Sequence, residues 1–339
     1  MKYFFRVTII SVLLILSFLV YAFAFEHGEI KKTFNNVKEI KIKTVSGNCI
    51  IKKGNKYEVE VVLKYTYDDE DYEPEFEQRG DRLILTERFR GRTWGGSSTW
   101  SLAVPENTNI DFSTASGDLE VENLKSAIEA STASGNVHFK NMDGEFEVST
   151  ASGDVEAKEL QGSVEFSTAS GDVDLSGLTG ETKISTASGL IIAANIEGEI
   201  KLSTASGDIN LSSSTGEFDV SAASGDVEAE DIALRAESSF SAASGDVELV
   251  LGESPAHDIE VSAASGDATL NFNNNPIKGF IKMTAKARRG RIKAPFKFDD
   301  EEYYTKWGQE YVTKTATKGS DRPLIEIRTA SGKAVLLEN

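Results

Sequence analysis

The sequence predicts an all-β protein: a parallel β-solenoid, in the β-helix or β-roll class, with 18-residue coils of two strands each and irregular β caps at both ends. Three observations predict it. First, Ser-Thr-Ala-Ser-Gly-Asp or a close variant recurs with its glycine at Gly117, Gly135, Gly153, Gly171, Gly189, Gly207 and Gly225 in steps of 18, then at Gly245 and Gly266 after steps of 20 and 21. A fixed period of this length marks a chain that stacks one small unit on itself. Second, counting from that glycine, apolar residues recur at −7, −5, +2, +4 and +7, as Phe146, Val148, Val155, Ala157 and Leu160 do around Gly153, with Glu145, Glu147 and Glu156 between them. The period is two, so the segments are strands with one buried face. Third, Gly144, Gly162, Gly180, Gly198 and Gly216 fall midway between the Ser-Gly glycines. Each coil therefore divides into two halves, each a short strand and a corner where glycine can take positive φ.

Two look-alikes are excluded. A hexapeptide-repeat helix needs an aliphatic residue every six positions, but position −4 is serine in these coils, and the Gly-Gly-x-Gly-x-Asp signature of the calcium-binding roll is absent.

Along the chain, residues 1–25 stand apart. Lys2 and Arg6 precede an apolar run from Val7 to Phe25 that ends in Ala22-Phe23-Ala24. This reads as a signal peptide cut before Phe25, and the run is also long enough to span a bilayer uncleaved as an N-terminal membrane anchor. Either outcome exports the rest, to the periplasm, the cell surface or the medium. Residues 26–339 read as one solenoid domain, with an N-terminal coil and cap over 26–108, regular repeats over 109–272, and a C-terminal cap and last coil over 273–339. Looser repeat copies stand at Val45-Ser46-Gly47 and Thr329-Ala330-Ser331-Gly332. Between them lie two interruptions, one with the Trp94 to Trp100 loop and one with Tyr303, Tyr304, Trp307 and Tyr311. A solenoid must close its core and its open sheet edges, so these are caps or coil insertions.

Thirty-six Lys and Arg against 54 Asp and Glu give a net charge of −18. That excludes nucleic acid and anionic lipid as partners of the rod body; the membrane is met only through residues 1–25 if they stay attached. The single cysteine, Cys49, forms no intramolecular disulfide and reads as a small buried hydrophobe.

The layout resembles the prokaryotic "putative adhesin" family of exported β-solenoid domains of unknown function. The resemblance rests on an export segment, Thr44-Val45-Ser46-Gly47-Asn48, a longer stretch ending in Val104-Pro105-Glu106-Asn107, tandem Ser-Gly-Asp-Val units and the final Thr329-Ala330-Ser331-Gly332. It implies the solenoid architecture and no catalytic residues. The chain departs from the pattern at Leu190, which replaces the Asp after Gly189, and over the interruption from Lys293 to Asp321.

The Asp that follows the glycine recurs as Asp118, Asp154, Asp172, Asp208, Asp226, Asp246 and Asp267. It reads as a cap on its own turn rather than a calcium site. The Thr ladder at Thr114, Thr132, Thr150, Thr168, Thr186 and Thr204 points inward by parity, which removes it as an ice-binding face. His27, His138 and His257 share no metal-ligand spacing. No catalytic residue, metal or cofactor is expected. Trp94 and Trp100 are the candidate ligand contacts, because aromatic rings stack on sugars and apolar edges. The expected function is a non-catalytic exported surface or envelope scaffold, a monomeric adhesion or interaction module for a surface glycan or protein. The alternative is a membrane-tethered cell-envelope stress accessory module, and the remote one a carbohydrate-active enzyme.

Overall fold

The structure is a computed structural model that describes residues 28–91, 95–287, 291–306 and 308–339; the expected signal or anchor segment lies outside them. Every named element among the described residues is a strand, and nine consecutive turns of a parallel solenoid run from Asn109 to Asn271. Successive coils pair 18 residues apart: Val155 opposes Val173, Gly162 opposes Gly180, and Thr168 opposes Thr186. The expected inward positions are the observed core, since Phe146, Val148, Val155, Ala157 and Leu160 are all 2% exposed or less.

Each coil has two corners of different chemistry. At the midway corner the ladder bends without breaking, so that Val155–Thr168 is one strand of 14 residues carrying both halves of the coil. The bend is made by a left-handed residue followed by a glycine, as in Glu159 at φ 57° and Gly162 at φ 125°. The first of these forms a column of Asn123, Asn141, Glu159, Gly177, Asn195, Ser213 and Asp231, all at positive φ. Asn, Asp and Gly predominate there because they tolerate the left-handed region best.

The Ser-Gly corner works otherwise. Positive φ is not the reason for its glycines; a Cβ on Gly171 would lie 1.9 Å from the carbonyl oxygen of Gly153 in the coil below. Close backbone stacking requires glycine here. The inward threonine closes the same corner, with the Gly171 N–H donating to Thr168 Oγ1 at 2.8 Å.

The Asp column also behaves differently from its expected role. Each carboxylate caps the next coil rather than its own turn: Asp154 Oδ1 accepts from the Asp172 N–H at 2.9 Å, and Asp172 Oδ1 from the Leu190 N–H at 2.8 Å. Asn136 does not break the column, because its Oδ1 accepts from the Asp154 N–H at 2.9 Å. An amide oxygen serves as well as a carboxylate, while Leu190 receives a cap and gives none.

At both ends the sequence-terminal coil lies one level inside the spatial end. Glu39–Lys43 sits between Asn109–Thr114 and Arg82–Thr86, and Asn48–Lys53 between Leu119–Glu122 and Ser98–Val104. Likewise Leu324–Thr329 sits between Ile259–Ala263 and Gly279–Lys286. The excursions after the first coil and before the last thus supply the outermost levels. Antiparallel strands then cover their edges: Glu58–Tyr65 at the N-terminal end, and the hairpin of Asp300–Lys306 with Gln309–Lys318 at the other.

Candidate functional site

The C-terminal hairpin overhangs the last coils and encloses an open groove of about 610 Å³. That volume lies within the roughly 300–1,000 Å³ typical of ligand sites. The floor follows from the repeat. Position −4 faces outward, and the column Ser221, Ser241, Ser262, Arg328 and Thr284 runs in register across the sheet. A row of hydroxyls therefore flanks a guanidinium. Next to this row the repeat changes from Ser-Thr-Ala-Ser-Gly to Ser-Ala-Ala-Ser-Gly, placing Ala222, Ala242 and Ala263 where earlier coils have threonine. Three coils give up the hydroxyl that closes the Ser-Gly corner elsewhere, and these coils border the groove.

The wall comes from the hairpin. Its strands carry Tyr, Thr and Val, which favour extended backbone, and Tyr304 lies opposite Tyr311 in the register. The two rings stack with centroids 5.6 Å apart at 18°, and Tyr304 remains 38% exposed. Lys306 lines the same groove. Arg328 is held in place by an ion pair with Glu260.

The N-terminal cap holds a second cluster of a different kind. Glu87 is 5% exposed, and its carboxylate accepts from the Val45 N–H at 2.8 Å, the Ser46 N–H at 3.3 Å, Tyr72 Oη at 3.0 Å, Trp100 Nε1 at 3.4 Å and the Ser98 hydroxyl. In the regular array the two equivalent N–H groups donate to carbonyls of the neighbouring coil, as Ala151 and Ser152 do to Thr132 and Ala133. The outermost level offers no such corner, so one side chain replaces it. Burial, then the neighbouring Glu87 carboxylate, pushes the Tyr72 hydroxyl well above the ordinary tyrosine range. Every hydrogen bond here points inward, and the cluster seals the end of the rod.

The rod body presents carboxylates in columns, with Asp111, Glu129, Glu147 and Glu165 adjacent in register. Lys183 continues this column and pairs with Glu165 at 2.6 Å. His138 faces Glu156 of the next coil, Nδ1 to Oε2 3.1 Å, in a half-exposed pair. No group of three or more potential metal ligands forms among the described residues.

A family model for the Toastrack DUF4097 domain matches residues 37–212 and again residues 145–294. The chain belongs to the Toastrack DUF4097 family. Membership agrees with the resemblance drawn from the tandem Ser-Gly-Asp units. Among solved structures, this Toastrack chain is similar to a "putative cell adhesion protein" from Clostridium sporogenes at 11% identity, covering 91% of this chain and 99% of that one with a TM-score of 0.20. It is also similar to a "putative lipid binding protein" from Parabacteroides distasonis at 10% identity, covering 91% and 96% with a TM-score of 0.30. A "putative adhesin" from the same species matches at 12% identity, covering 90% and 97% with a TM-score of 0.23. No curated protein matches the chain.

Of the two tryptophans read as ligand contacts, Trp94 lies outside the described residues. Trp100 is 0% exposed and packs against Phe76 at 5.4 Å between ring centroids, so it is cap core and has no surface to offer a ligand. Alternation explains this: along Ser98–Val104 the even-numbered residues are buried, and position 100 belongs to that set. Cys49 is buried as expected, and desolvation pushes its thiol far above the ordinary range. The groove was not found from sequence, although the threonine-to-alanine change in three successive repeats was a visible signal. Glu87 carried none, being one glutamate between Thr86 and Arg88.

Proposed function

We propose that this Toastrack chain is a non-catalytic, exported scaffold whose rigid solenoid presents the C-terminal groove to a ligand at the cell surface, as an adhesion or interaction module. The observation that supports this reading is the contrast between body and cap. In the body, polar side chains have structural roles: carboxylates cap successive coils or form ion pairs, and threonines close corners. Where the cap overhangs the last coils, the exposed Tyr304, Lys306 and Arg328 of the cap and the half-buried Ser221, Ser241 and Ser262 of those coils converge on one groove. A rod with a ligand groove near one end suits a protein that spans distance and binds at its tip.

The test is surface capture by the full-length chain on glycan arrays and on whole cells, comparing the native protein with a Tyr304→Ala, Tyr311→Ala double variant and with a Glu147→Gln, Glu165→Gln body variant. The reading expects the groove variant to lose capture and the body variant to keep it. Equal capture by all three would refute the groove as the binding site. Export is checked separately: N-terminal sequencing of the protein from intact cells is expected to begin at Phe25, and full-length protein confined to membranes would favour the tethered module.

A further inference from the structure

We propose that the groove selects an anionic saccharide, a sugar that carries a carboxylate on its ring, as in a uronic acid; the proposal deepens the groove reading and rests on it. Charge along the chain is strongly segregated. Residues 109–272 contain 6 Lys and Arg against 31 Asp and Glu, a net −25, whereas residues 273–339 contain 14 against 8, a net +6. The acidic body repels a polyanion along nearly all its length, and the cap is the one part of opposite sign. Such segregation directs an anionic ligand to one end of the rod and sets its orientation, an effect that works through field and on-rate as much as through contact.

The lining matches the rest of such a ligand. Tyr304 presents an aromatic face, which packs against the C–H face of a pyranose. Ser221, Ser262 and Ser241, whose hydroxyl also reaches the Val220 carbonyl at 3.4 Å, supply hydroxyls that both donate and accept, as sugar hydroxyls require, while Thr284 is buried and pairs with Thr313 Oγ1 at 3.0 Å. Arg328 and Lys306 supply the cations. Glu260 pairs with one edge of the Arg328 guanidinium and Glu326 lies 4.0 Å from its Nε, and a planar fork with five N–H donors keeps donors for a ligand carboxylate beside them. A neutral sugar would use the rings and hydroxyls and leave the cations unused. An acidic peptide would use the cations and leave the hydroxyl row without matched partners.

The experiment is titration calorimetry of the full-length chain with three probes of similar length: hexagalacturonate, neutral maltohexaose, and hexaglutamate. The expected result is binding of hexagalacturonate at least ~10-fold tighter than either of the others, about 1.4 kcal/mol or more. That binding should weaken by ~10-fold or more in Tyr304→Ala and in Arg328→Gln, and weaken with added salt as the Debye length shortens below about 8 Å. Circular dichroism melting identifies any variant that has lost its fold; Arg328→Lys, which keeps the charge and the Glu260 pairing but loses the planar fork, then serves in its place and should still weaken binding, whereas unchanged affinity in it would overturn the role of the fork. Equal affinity for hexagalacturonate and maltohexaose overturns the anionic assignment, and equal affinity for hexaglutamate overturns the saccharide assignment. Failure to bind any probe also overturns the ligand class. The groove reading survives these outcomes if the Tyr304→Ala, Tyr311→Ala variant still loses cell-surface capture, and it fails with the ligand class if that capture is unchanged.

Discussion

The regular array and the N-terminal cap solve the same hydrogen-bonding problem in opposite ways. In the array, corner N–H groups such as those of Ala151 and Ser152 find their acceptors in the neighbouring coil, and the arrangement repeats so that no single contact matters much more than its equivalents. In the cap there is no further Ser-Gly corner, and the donors that a neighbour would have satisfied converge on the carboxylate of Glu87. The difference teaches where a solenoid is vulnerable. Stability in the body is spread over stacked copies, while at the end it is concentrated in one buried side chain whose removal strands several donors at once.

The largest expected effect therefore lies in the cap. Glu87→Ala leaves the Val45 and Ser46 N–H groups, the Tyr72 and Ser98 hydroxyls and the Trp100 indole without their common acceptor. We expect a loss of about 3–5 kcal/mol, since each stranded buried donor costs about 1–3 kcal/mol and partial rehydration recovers some of the total. Denaturant unfolding measures it. A loss no larger than that of a single array contact would erase the distinction between cap and body.

An intermediate effect is expected within the array. Gly171→Ala places a methyl 1.9 Å from the Gly153 carbonyl oxygen and 2.6 Å from its carbon, backbone atoms that cannot yield, with Thr168 Oγ1 also 2.9 Å away. Separating two coils at one corner should cost about 1–3 kcal/mol, as overpacking does elsewhere. The same substitution at Gly80, where φ is 65° and no atom lies within 4 Å of the added methyl, tests backbone conformation without close stacking. If both variants melt alike, the stacking explanation for the Ser-Gly glycines is wrong.

The smallest effect has the opposite sign. Thr182 occupies the −7 column, which neighbouring coils fill with Val164 and Ile200, and its buried hydroxyl has no hydrogen-bond partner. Thr182→Val replaces that hydroxyl with a methyl of similar size and should stabilise the protein by about 1 kcal/mol. Destabilisation in the same unfolding assay would show that the hydroxyl is satisfied in solution.

What the sequence revealed and what it concealed follow the same division. The period, the two faces of each strand and the inward threonines were readable because a repeat shows its geometry many times over, and parity alone decides which way each side chain points. The left-handed column was readable in principle from Asn123, Asn141, Gly177, Asn195 and Asp231, but Glu159 and Ser213 blurred it. The Asp ladder was visible and its partner was not, since a side chain that caps its own turn and one that caps the next coil leave the same mark on a sequence. The caps occur once each. Nothing in the composition of the segment from Ser98 distinguishes a core tryptophan from an exposed one until the strand's parity is known. Glu87 and the Tyr304–Tyr311 wall depend on which excursion folds over which coil, a tertiary fact that no local pattern encodes.

The central claim is that the unit of this fold is an 18-residue coil whose two corners are chemically distinct and cannot be exchanged. Deleting residues 154–171 joins Gly153 to Asp172 and returns every later residue to its own column. Deleting residues 154–162 joins Gly153 to Ser163, keeps the inward and outward sense of each strand, and stacks Ser-Gly corners over midway corners. Measuring the unfolding free energy of both variants by denaturant titration is the most direct test. The account predicts that the longer deletion folds, is shorter by one strand spacing of about 4.8 Å, and loses little stability, while the shorter deletion fails to fold cooperatively. Equal tolerance of the two deletions, or collapse of the 18-residue variant, would contradict it.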